Sequence, residues 1–100
     1  MRTIWKQELE MKPLQTIQIP FDAKILSVQL QNGNPCIWYL VPHSHNNLEP
    51  RDIAMGLTGQ SLGDEDSFDE YRYISTVIVS SSLNPLTCKT FVMHWFEVQS

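Results

Sequence analysis

The chain has 100 residues, of which 42% are hydrophobic and 18% charged, and a formal net charge of −4. That length bounds it to one domain with a single thin core, and that composition excludes a disordered chain. The acidic balance, with Arg2, Lys6, Lys12, Lys24, Arg51, Arg72 and Lys89 scattered along the sequence, also excludes non-specific nucleic-acid binding, which needs a basic patch to grip phosphates.

The elements read in chain order are strands. Thr3–Leu9 is the first. Leu14–Ile19 alternates, with Ile17 and Ile19 directed inward. Pro20 and Asp22 mark a turn. Lys24–Gln31 alternates again, with Leu26, Val28 and Leu30 on one face and Ser27, Gln29 and Gln31 on the other. Asn32-Gly33 predicts a tight hairpin, because both residues tolerate positive φ. Pro35 follows and belongs at a strand start or edge, since it cannot donate a ladder hydrogen bond. Cys36–Val41 is apolar at every position, so that strand needs cover on both faces.

Pro42 ends this strand, and His43–Pro50 reads as a polar loop. Arg51–Thr58 is a further strand; a short helix over Arg51–Leu62 is the alternative, weakened by Gly56 and Gly59. The acidic stretch Asp64–Glu70 reads as a long loop. Tyr71–Ser80 is rich in β-branched residues and reads as a strand. Ser81–Leu86 forms a turn region, and Thr87–Val98 a last long strand. Phe91, Met93 and Trp95 share one side of it; Val92, Phe96 and Val98 lie largely on the other. Together these predict an all-β or mostly β domain over residues 1–100, a small antiparallel β-sandwich or partly open barrel of about seven strands.

The runs "TIWKQEL", "QTIQIP" and above all "AKILSVQLQNGNPCIWYLV", with the aromatic-rich "YISTVIV" and "FVMHWFE" near the end, resemble a family of small uncharacterised proteins encoded by tailed bacteriophages. The middle, "HSHNNLEPRDIAMGLTGQSLGDEDSFDE", departs from that pattern. The resemblance implies a phage origin and work in the host cytoplasm. It implies the life of a small accessory factor, of which some disarm host defences. It carries over no catalytic motif.

Candidate sites are few. His43 and His45 sit two residues apart and would face one way on an extended segment, as some metal-ligand pairs do, but nothing in the spacing brings a third ligand to them, and a surface loop is the default. His94 lies in an apolar strand and reads as a hydrogen-bonded, partly buried side chain. Cys36 and Cys88 sit in apolar segments and read as buried free thiols, with no base or electropositive setting to activate them. Two cysteines are too few for a disulfide scaffold, which points to a reducing compartment. No run is long and apolar enough to serve as a leader or a membrane span.

Asp64, Glu65, Asp66, Asp69 and Glu70 crowd five carboxylates into seven residues. They form either a solvated loop or a patch that meets a basic partner protein. Alternation sets Trp38 against Tyr39, and Arg72 against Tyr71 and Tyr73. Trp38, Tyr39, Arg51, Tyr71 and Arg72 are the candidates for an interface or for a pocket that stacks and pairs a nucleotide. No Gly-x-x-x-x-Gly-Lys loop and no Gly-x-Ser-x-Gly elbow is present. The expectation is a binding protein rather than an enzyme, without cofactor or metal. It would self-associate to cover the Cys36–Val41 strand and would sequester a host protein or a nucleotide signal. The alternative is a structural or assembly module of the phage particle.

Overall fold

The structure is a computed structural model, described over residues 2–42, 47–59, 70–81 and 89–99. The described residues form seven strands: β1 Thr3–Glu8, β2 Leu14–Pro20, β3 Lys24–Gln31, β4 Asn34–Val41, β5 Leu48–Leu57, β6 Glu70–Ser81 and β7 Lys89–Gln99. They form two antiparallel sheets, one ordered β1-β4-β3 and the other β2-β5-β7-β6. The architecture is a small all-β sandwich that does not close into a barrel. The residues weighed above for a helix over Arg51–Leu62 are strand as far as Leu57, and β5 starts at Leu48, inside the segment expected to be loop. Glu70 opens β6 rather than closing the acidic loop.

The chain crosses between the sheets at a tight turn. Phe21-Asp22 joins β2 to β3, Asp22 takes a φ of 64°, and the Ala23 amide donates to the Pro20 carbonyl at 3.1 Å. Asn32-Gly33 makes the β3–β4 hairpin with φ values of 54° and 83°, the double left-handed turn that matches strand twist. Asn34 then lies opposite Gln31, and the register of the hairpin is fixed from there.

The core is built from inward positions of both sheets. Ile17 and Ile19 of β2, Val28 of β3, Ile37, Tyr39 and Val41 of β4, Ile53 of β5, Val77 of β6 and Met93 and Trp95 of β7 pack in one cluster. Among the described residues, Trp95 is the largest fully buried side chain and its indole Nε1 finds no hydrogen-bond partner, an orphaned donor whose desolvation costs about 1–3 kcal/mol. Gln15 is also nearly buried on this face. Its amide is satisfied by closing a ring with Glu10, accepting from the Glu10 amide at 3.0 Å and donating to the Glu10 carbonyl at 2.7 Å.

Two bulges break the alternation. Register skips between Ile25 and Ser27 in β3, and between Tyr73 and Ser75 in β6. Leu26 is the extra residue in β3. Alternation places it on the face of Val28 and Leu30, of which Val28 is buried; instead Leu26 is 42% exposed, and Ile25 turns toward the core opposite Tyr39. The bulge is the physical reason, since one inserted residue reverses the facing of everything on its near side.

The apolar run Cys36–Val41 of β4 is partly covered on its outer face by side chains of its own sheet. It is the middle strand of its sheet, with its odd positions Ile37, Tyr39 and Val41 in the core. Outside, Glu8 and Gln29 flank Cys36, and Lys6 of β1 reaches across β4 to donate its ammonium to the Gln31 side chain on β3. Long polar side chains laid over the sheet leave Cys36 4% exposed and Trp38 and Leu40 half-buried.

Candidate functional site

The sandwich opens beside its two bulges. There the starts of β3, β5 and β6 and the end of β7 surround a cleft of about 640 Å³, within the range of small-molecule sites. Its walls mix charge and hydrocarbon. Ile25, Leu26 and Ile74 are apolar; Arg51, Glu97 and Arg72 lie along three consecutive strands.

Glu97 is the centre of this row. It occupies an inward position of β7, opposite Ile53 on one side and Arg72 on the other. Only 7% of its side chain is exposed. A carboxylate that deep needs a cation, and Arg51, 18% exposed, supplies one. Arg51 donates through both Nε and Nη2 to the two carboxylate oxygens, the second bond being 2.9 Å, a bidentate pair. Its Nη1 also donates to the Ala23 carbonyl at 3.0 Å and to Glu49 at 3.3 Å. The hydrogen bonds that Arg51 donates to the Glu97 carboxylate are the main reason the guanidinium is held charged even more firmly than usual, against the opposing effect of burial. Arg51 thus ties β7 to the turn where the chain changes sheets.

With Arg51 committed, the cleft offers a ligand its exposed cations. Arg72 and Lys24 line the mouth, and neither has an ion-pair partner among the described residues. The seam beside the cleft is closed by hydrogen bonds between the sheets. Ser75 Oγ accepts from the Val28 amide at 2.8 Å and lies 3.1 Å from Ser27 Oγ.

Of the residues singled out from sequence, the fold brings Arg51 and Arg72 into this cleft and keeps the aromatic candidates out of it. Tyr39 is in the core, where burial raises its hydroxyl pKa above the usual value. Trp38 lies on the outer face of the β1-β4-β3 sheet. Tyr71 lies on the outer face of the other sheet, edge-on to Phe96 with ring centroids 6.1 Å apart. Glu70 is exposed at the start of β6. Asp64, Glu65, Asp66, Asp69, His43, His45 and Cys88 lie outside the described residues. His94 is half-buried and hydrogen-bonded to the Thr58 hydroxyl at 2.8 Å and the Thr76 hydroxyl at 3.2 Å. Among the described residues, no three metal-ligating side chains come together.

Glu97, Glu49 and Lys24 were missed by sequence reasoning. The signal for Glu97 was present: it continues the inward series of Met93 and Trp95 by one more step, and a carboxylate there demands a partner.

No curated protein and no solved structure matches the chain. A family model matches all of it, residues 1–100: the chain belongs to the DUF7352 family, a domain of unknown function.

Proposed function

We propose that this chain is a non-enzymatic binding protein, an accessory factor of the kind tailed phages encode, that holds a small anionic ligand of nucleotide size in the cleft at the bulged seam. The observation that carries the reading is the division of labour among the cleft cations. Arg51 is spent on bracing Glu97, which leaves Arg72 and Lys24 at the mouth for a phosphate, while Ile25 and Ile74 offer an apolar wall to a base or sugar edge. Such a site acts by holding its ligand. In the host cytoplasm that amounts to sequestering a signal, including one used in defence. The likeness of "AKILSVQLQNGNPCIWYLV" to phage proteins supports the setting. The acidic stretch, Asp64 to Glu70, offers a second contact, to a basic host protein.

Thermal melting with a panel of mononucleotides and cyclic dinucleotides tests this. A true ligand at a hundredfold excess over its Kd stabilises by about 2.7 kcal/mol, so the midpoint rises by about 10 °C or more. Arg72→Ala abolishes the shift, and added salt weakens it. A panel that leaves the midpoint unmoved at millimolar concentration sinks the reading.

One observation favours a second reading, a structural or assembly module of the phage particle. The outer face of β7 and β6 carries Val92, Phe96, Val98, Tyr71, Tyr73 and Ile78, with Tyr73 59% and Ile78 64% exposed. Exposed apolar side chains grouped on one sheet face, here on either side of the His94 and Thr76 pair, mark a contact site. Co-sedimentation with purified particles, lost on Ile78→Lys, is the result that would favour it.

A further inference from the structure

The free edge of β1 carries an inference that does not depend on the cleft, which lies at the opposite side of the sandwich. β1 pairs with β4 along one edge, and no described strand pairs with its other edge. Every residue from Arg2 to Lys6 is exposed, including Ile4 at 61% and Trp5 at 49%. Trp5 stands out because it faces the core side, opposite Tyr39, yet remains half in solvent. Proteins commonly blunt such edges with a lysine. Here Lys6, the one lysine in the strand, is folded back over its own sheet and bonded to Gln31.

We propose that the edge is covered by β1 of a second copy, antiparallel, in a register centred on Trp5. The charge pattern selects that register. Side chains directly opposite in an antiparallel pair share a face, so a two-fold axis through the sheet permits registers that differ in steps of one residue at the centre. Centred on Trp5, Arg2 meets Glu8 of the other copy at both ends, Thr3 meets Gln7, Ile4 packs on the Lys6 stem, and the two Trp5 rings meet. Centred on Ile4, Arg2 would face Lys6. Centred on Lys6, that lysine would face itself. Both neighbours leave Arg2 with no acid of the other copy's β1 opposite it, so the end-to-end charge pairs are lost. The result joins the two β1-β4-β3 sheets into one continuous six-stranded sheet. A contact of one short strand is small, so the dimer is a weak, concentration-dependent one, with main-chain hydrogen bonds supplying affinity and side chains supplying register.

Sedimentation equilibrium of the full chain over a range of concentrations tests the proposal. The wild type forms dimers, and Trp5→Lys is a monomer with an unchanged thermal midpoint at low concentration. Arg2→Glu sets like charges at both ends of the pairing and weakens the dimer about tenfold. The double variant Arg2→Glu with Glu8→Arg restores it, because each end regains an opposite pair. A wild type that stays monomeric at every concentration overturns the proposal. So does a dimer indifferent to Arg2→Glu, or one in which the two charge reversals add rather than cancel. Nucleotide binding is read separately, so either result leaves the cleft reading to its own test.

Discussion

The two sides of this sandwich handle their sheet edges in opposite ways. Along one side, β3 and β6 bulge, approach each other, and are joined by Val28 N–H donating to Ser75 Oγ and by the contact of Ser27 with Ser75. Behind that seam, Arg51 and Glu97 fill the opened corner with a buried ion pair. Along the other side, β1 keeps a straight register with β4 and almost no buried side chain. A thin all-β domain has more edge than its core can hide. The bulged side meets that need within the chain, by bending strands and satisfying polar groups across the sheets. The straight side leaves the need to a neighbour. Substitutions should therefore be costly at the seam and nearly silent for folding at β1.

The largest effect is expected at Glu97. Glu97→Ala strips Arg51 of its bidentate partner in a site where both side chains are mostly buried. Breaking such a pair costs about 2–3 kcal/mol here, at the lower end for buried pairs because Arg51 keeps some solvent. Urea denaturation reads it as a lower midpoint at constant slope. The same truncation at Glu8, on the exposed edge, should change stability by less than about 0.5 kcal/mol. Equal costs at the two sites would erase the distinction between the sides. Replacing Arg51 and Glu97 together by Met and Leu should cost less than Glu97→Ala alone, since no charge is then left buried and unpaired.

Ser75→Ala is the next test, with an expected loss of about 1–2 kcal/mol, because the Val28 amide loses its acceptor inside the seam. The loss is local. Hydrogen exchange should quicken at the Val28 amide before it quickens at Ile37 in the middle of β4. Unchanged protection at Val28 would mean that the two sheets are held by packing alone.

The contrast also explains what was readable from sequence. Alternation in Leu14–Ile19 located the buried faces of Ile17 and Ile19, and Asn32-Gly33 fixed the hairpin, because period and turn chemistry are local properties of a few residues. The bulges were not legible. Nothing in "AKILSVQL" says that Leu26 is the extra residue, because an insertion is defined only against the strand opposite, here β4. The cleft depends on both bulges, so its position was hidden with them. Arg51 and Arg72 were picked as cations without partners in view. Glu97, 46 residues from Arg51, becomes their common neighbour only once β5, β7 and β6 lie side by side. The aromatic candidates failed to gather for a related reason: Trp38, Tyr39 and Tyr71 occupy three different surfaces of the two sheets.

The smallest expected effect belongs to Tyr39, which spans the two sides, opposite Trp5 on the straight strand and opposite Ile25 beside the bulge. Burial raises its hydroxyl pKa above the ordinary 10.0. In the unfolded chain the phenol ionises at its ordinary value, so above that pH the unfolded state holds fewer protons than the folded one. Stability must then fall as pH rises, and the loss continues until the folded-state pKa is passed. Below about pH 10 this contribution is fully present. Tyr39→Phe should therefore leave stability within about 1 kcal/mol of wild type at neutral pH and remove part of the alkaline decline. Chemical denaturation at pH 8 and pH 11 measures both. A decline identical in the two proteins would place the alkaline sensitivity elsewhere. A decline confined to Tyr39 would mean that the strand between the two sides is packed tightly enough to resist ionisation, even though its neighbour Trp5 stands half in water.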